Sequence, residues 1–176
     1  MILVPKDRWI GFQGDVEDKS VSEIIGEINR LYGENSKIPI CLFVSSGGGG
    51  CREGFTLYEF ITRVLKPKIH TVAMGEVGSM AVPIFLAGSV RHITEGTTLF
   101  LHEISRTFNK DGSVKLSEVD AARARLLISS DRYTSIVLRR CGRKITKNHL
   151  LRLMRDNTSL TAKEAVKLGF AHSILS

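Results

Sequence analysis

Three strand-length runs that are apolar with little alternation, Ile38–Val44, Ile69–Met74 and Thr98–Leu101, constrain this chain more than any other feature. A strand with one face in water alternates apolar and polar residues. A continuous run is covered on both faces, the situation of a parallel sheet between helices. The intervals agree with that reading. Ile24, Ile25, Ile28, Leu31 and Tyr32 recur at helical spacing, as do Phe55, Leu57, Tyr58, Phe60, Ile61, Val64 and Leu65. The first helix opens at Asp18 or Ser20, with Ser20 and Glu23 at capping-box spacing and Gly33 as its stop; Lys66-Pro67 closes the second. Shorter strands are expected at Trp9–Phe12, Val90–Ile93 and Phe170–Leu175, and short helices at Ala81–Ala87 and Ala162–Leu168, the latter opened by a Thr161/Glu164 capping box and stopped by Gly169. The fold class is α/β, built from repeated β-α units.

Leu116 to Cys141 contains no glycine or proline and ends at Gly142, which predicts the longest helix of the chain. Such a helix is too long for a compact layer and is suited to project into a partner subunit. No repeat, linker or low-complexity segment divides the 176 residues, so a single domain is expected.

Hydrophobic residues make up 43% and charged residues 24%, which fits a soluble globular protein. No stretch approaches the ~20 apolar residues of a membrane span. The N-terminus is charged too early for a signal peptide, so a cytoplasmic protein with no membrane partner is expected. Cys41, Cys51 and Cys141 have neither CxxC nor Cys/His ligand spacing, which suggests no disulfide framework and no metal site, and no motif calls for a cofactor. The net charge is +7, but the basic residues are scattered apart from Arg139, Arg140, Arg143, Lys144 and Lys147, with no aromatic platform among them. A solvated basic face, rather than a nucleic-acid partner, is the reading.

The chemistry gathers at strand ends. Ser79 lies where the Ile69–Met74 run gives way, through Gly75 and Gly78, to the apolar helix. There it faces the positive helix end and free backbone N–H groups. Helix capping is the plain alternative. His102 ends the Thr98–Leu101 run, so a nucleophile and its base stand at two strand ends. Gly47 to Gly50 follow the Ile38–Val44 run at the same sheet edge, where α/β proteins bind ligands. The amide of Gly49 or Gly48, with that of Met80, would make an oxyanion hole. The glycine run is no phosphate loop, since no Gly-Lys-Ser/Thr follows, and no Gly-x-Ser-x-Gly surrounds Ser79.

Several strings in order, Gly14-Asp-Val-Glu-Asp18, Ser46-Gly-Gly-Gly49, Met74-Gly-Glu-Val-Gly-Ser-Met80, Leu86-Ala-Gly88 and Leu160 to Leu175, resemble the ClpP family of serine peptidases, from about Trp9 to the end. The resemblance implies a crotonase-like fold with Ser79 as nucleophile, His102 as base, and Gly49 and Met80 as oxyanion donors. It implies that the strand following the glycine turn, with the stretch near Ser105–Gly112, holds a polypeptide substrate as an added strand. It also implies a handle helix within Leu116–Cys141, in a handle region of about residues 105–142, and homo-oligomeric rings, heptamers paired into a tetradecamer.

The chain departs from the family pattern at four places. Asn157 stands where the family has the third catalytic residue, an aspartate, with Asp156 as the alternative one position earlier. Ser46-Gly47 replaces Ser-Pro, and Glu103-Ile104 follows His102 in place of Gln-Pro. Only eight residues precede Trp9, which puts axial pore loops and an unfoldase ATPase partner in question. The leading expectation is a self-compartmentalising serine endopeptidase, slowed by Asn157. The alternatives are a weakly catalytic scaffold that co-assembles with an active paralogue, and an acyl-CoA-processing enzyme of the same fold.

Overall fold

The computed structural model describes residues 4–106 and 114–176. Its element order is β1 (Trp9–Gln13), α1 (Asp18–Glu34), β2 (Ile40–Ser46), α2 (Cys51–Glu59), β3 (Ile69–Gly78), α3 (Ala81–Leu86), β4 (Val90–Thr94), β5 (Thr98–Leu101), α4 (Leu116–Cys141), α5 (Lys147–Arg155), β6 (Thr158–Thr161), α6 (Ala162–Lys167) and β7 (Ser173–Leu175). Strands run in the order β1-β2-β3-β4-β7, all parallel. The mainly parallel α/β sheet and the long helix expected from the sequence are both present.

β3 organises the sheet because it changes neighbour along its length. His70 to Ala73 pair with β4, whereas Glu76 to Gly78 pair with β5. Between the two halves the pairing with β2 slips, from Val44↔Ala73 to Ser46↔Val77, and Gly75 takes φ +64°. That conformation is easy only for glycine, so Gly75 bends the strand where the sequence suggested an end to it. β3 therefore runs on to the residue before Ser79. The core that holds this frame joins the β2 and β3 side chains Leu42, Val44, Ala73 and Val77 to Phe85, Tyr133 and Phe170. All are buried, as two-sided burial of a parallel sheet demands.

Several boundaries differ from the sequence reading for local reasons. Glu17 caps α1, and the Ser20 hydroxyl accepts from the Glu17 N–H at 3.2 Å, so Ser20 is the inner partner of the capping pair. The helix passes through Gly33 to Glu34. The glycine run is followed at once by α2, beginning at Cys51, so no strand follows it. β7 holds only Ser173–Leu175 of the expected last strand. The sequence reading also lacked α5 and β6, whose Thr158–Thr161 pairs antiparallel with β5.

α4 spans Leu116–Cys141 as expected. Its second half buries Tyr133, Ile136, Val137 and Cys141, while Leu116, Val119, Leu127 and Ile128 in its first half are exposed. The first half thus projects from the core. No helix among the described residues is long and apolar enough to cross a membrane.

Candidate active site

Ser79 occupies the turn between β3 and α3 with φ +48°, a left-handed conformation that costs a side-chain-bearing residue about 1–2 kcal/mol. Two backbone bonds hold it there. Its N–H donates to the Phe100 carbonyl at 3.0 Å, and its carbonyl accepts from the Val82 N–H at 3.1 Å. The first bond ties the turn to β5, the strand that delivers His102. The His102 ring stacks on Phe100, with centroids 5.4 Å apart and planes 24° from parallel.

The glycine run packs against this turn. Gly48 and Gly49 have φ +111° and +145°, and a Cβ on Gly48 would come within 2.5 Å of the Ser79 Cβ. Val16 fixes the run from the other side: its N–H donates to the Gly48 carbonyl at 2.8 Å, and its carbonyl accepts from Gly50 at 2.7 Å. The Gly48 amide is engaged, donating to the buried Ser46 hydroxyl at 3.2 Å. Among the described residues no backbone acceptor takes the N–H of Gly49 or Met80. Of the two glycines the sequence offered as oxyanion donors, Gly49 is the one with an uncommitted amide.

A cavity of about 270 Å³ brings together Ser79, His102, Gly47, Gly49, Cys51, Ile104 and Ser105. Met80, the residue after Ser79, has its side chain buried. Asn157 and Asp156 do not line the cavity, and both are exposed. Their backbone placements differ. Asp156 ends α5, its N–H bonded to the Arg152 carbonyl at 2.9 Å, whereas Asn157 follows with φ +50° and leads into β6. The β5–β6 ladder runs from Thr98↔Thr161 to Leu101↔Thr158 and ends there, with His102 the next residue after β5 and Asn157 the residue before β6. Among the described residues neither Ser79 nor His102 makes a side-chain hydrogen bond, to each other or elsewhere. Such contacts are often loose before substrate binds.

Cys51 and Ile104 are wall residues the sequence reading gave no role. The signal available for Cys51 was its place at the first turn of the helix after the glycines. Burial, and then the Glu53 carboxylate, push its thiol pKa up, so it is a neutral wall and not a competing thiolate nucleophile. Of the stretch near Ser105–Gly112, residues 107–112 lie outside the described residues; Ser105 and Arg106 are described and belong to no strand. Among the described residues no His/Cys/Asp/Glu group could hold a metal ion.

A bent parallel sheet with a strained serine turn, a histidine and a glycine run at its carboxyl edge defines an α/β protein whose ligand site lies where such sheets hold substrates. A family model described as Clp protease matches residues 2–176, and the chain belongs to that family. It is thus a ClpP-like peptidase.

Proposed function

We propose that the chain is a serine-type endopeptidase acting on polypeptides. Ser79 Oγ attacks the scissile carbonyl carbon, His102 takes the hydroxyl proton and later gives it to the leaving amine, and water then releases the acyl group. The N–H groups of Gly49 and Met80 stabilise the oxyanion. Asn157 orients His102, and because an amide cannot supply the negative charge that stabilises the imidazolium, turnover is slow. The observation that carries this reading is the left-handed Ser79, opening on the same cavity as His102 and Gly49. A strained backbone persists where its surroundings impose it, and such residues cluster at active sites.

Homo-oligomeric rings, heptamers or paired heptamers, belong to the same proposal, supported by the exposed apolar side chains Leu116, Val119 and Leu127 on the projecting half of α4. Asn157 favours one second reading, a weakly active subunit that works beside an active paralogue. A fluorophosphonate probe decides the nucleophile. It should label Ser79, and Ser79→Ala should abolish both labelling and peptide hydrolysis. Labelling that survives the substitution overturns the assignment. Turnover that appears only after a paralogue is added supports the second reading.

A further inference from the structure

The cavity at Ser79 continues as a groove between α2 and α4. Cys51, Ile104 and Ser105 also line the next cavity, of about 220 Å³, where Arg106 and Arg125 enter its wall. Those two arginines and Cys51 continue into a third cavity of about 470 Å³, floored by Phe55 and flanked by Arg52 and Arg132. The α4 wall is a single helical face, since Arg125, Ile128, Ser129 and Arg132 stand at i, i+3, i+4 and i+7. Among the described residues no aspartate or glutamate lines either of the two outer cavities.

The four guanidinium groups are not equivalent. Arg52 is paired with Asp18 at 2.8 Å and Glu53 at 2.6 Å. Arg132 is paired with Glu59 at 3.0 Å and lies 4.2 Å over the Phe55 ring. Among the described residues no carboxylate pairs with Arg106 or Arg125. Arg106 belongs to the segment that leaves β5 through His102, and Arg125 faces it from α4 across the shared cavities. A wall of two guanidinium groups with no carboxylate partner among the described residues, in the cavities adjoining that of Ser79, complements a carboxylate, which each can bind through two parallel N–H donors. It repels a lysine or arginine side chain.

We infer that Arg106 and Arg125 form a specificity subsite for an acidic side chain, glutamate or aspartate, next to the scissile bond of the substrate peptide. The inference rests on the assignment of Ser79 as nucleophile, which gives the groove its scissile bond. Mere solvation of a basic face predicts no such preference, because solvated arginines would act on all acidic peptides alike, whatever the position of the charge.

The experiment uses two short fluorescein-labelled peptides that differ only in a central glutamate or glutamine, and a third with the glutamate moved to one end. Binding is measured by anisotropy to the full-length Ser79→Ala protein, so that it reads the groove without turnover. The central-glutamate peptide should bind about five- to tenfold tighter than both others, the range of one or two partly exposed charge pairs. The preference should shrink as salt is raised. Combined Arg106→Gln and Arg125→Gln should bring the affinities for the central-glutamate and glutamine peptides together. Equal binding of the three peptides, no binding of the central-glutamate peptide, or a preference that survives the double substitution overturns the subsite. Failure of the nucleophile assignment is read separately, as absence of Ser79 labelling in the wild-type protein, and leaves the binding ratio to decide the subsite.

Discussion

In the β5–β6 register the ladder ends at the Leu101–Thr158 pair, which leaves His102 and Asn157 as the first residues beyond it on the two segments. Asp156 is out of that register and caps α5. If residue 157 orients the histidine, restoring a carboxylate there adds charge stabilisation of the imidazolium without moving the backbone, since aspartate tolerates the φ of +50° about as well as asparagine. Asn157→Asp is expected to raise kcat for peptide hydrolysis by at least about tenfold, and Asp156→Asn to leave it unchanged. A gain absent from Asn157→Asp and a loss on Asp156→Asn would transfer the role to Asp156.

The left-handed Ser79 predicts a separation of stability from activity. Ser79→Ala removes the hydroxyl and keeps a side chain at φ +48°, whereas Ser79→Gly also relieves the backbone. Neither variant should hydrolyse peptide. By thermal unfolding Ser79→Gly is expected to be more stable than Ser79→Ala by about 1 kcal/mol. Equal melting temperatures would mean that the turn stores no strain.

The gross plan was legible because it rests on period and punctuation: the apolar runs at Ile38–Val44 and Ile69–Met74 announced covered strands, and Gly142 marked the end of the long helix. The bend in β3 was not legible. Gly75 looks the same in sequence whether it ends a strand or turns one within a sheet, and only the pairing of Glu76 to Gly78 with β5 decides. β6 was hidden for a related reason. Thr158–Thr161 has no apolar periodicity of its own and becomes a strand because β5 offers it an edge. In the site, Ser79, His102 and Gly49 could be named from motif order, whereas Cys51 and Ile104 reach the cavity, and Arg106 and Arg125 the cavities beyond it, through the tertiary approach of α2, α4 and the segment after β5, which no spacing encodes.

Gly48 and Gly47 adjoin in sequence and should respond differently to alanine. At Gly48 the φ of +111° is joined to a contact of 2.5 Å with the Ser79 Cβ and 3.0 Å with the Met80 nitrogen. A Cβ at Gly47 meets only the Glu76 side chain at 3.9 Å. Gly48→Ala is expected to destabilise by at least about 2 kcal/mol and to abolish turnover by displacing the serine turn. Gly47→Ala should stay within about 1 kcal/mol of the wild type. Chemical denaturation of both variants checks the contrast, and similar losses for the two would remove the steric account of the glycine run.

Two half-buried histidines away from the site make stability depend on pH. His70 on β3 and His92 on β4 both have pKa values lowered from 6.5, first by burial, and for His92 then by His70. The Nδ1 atom of His70 is buried with no hydrogen-bond partner among the described residues. In the neutral ring that nitrogen is at worst an unused acceptor, whereas protonation would bury an unpaired N–H donor. The unfolded chain, with ordinary pKa values, therefore binds more protons than the folded one between the lowered values and about 6.5. Stability is full above that window, falls as pH drops through it, and levels off once both states are protonated. Melting temperatures from pH 8 to pH 5 should decline below about pH 6.5, and His70→Leu should flatten part of the decline. A profile for His70→Leu parallel to that of the wild type would show that His70 contributes nothing to it.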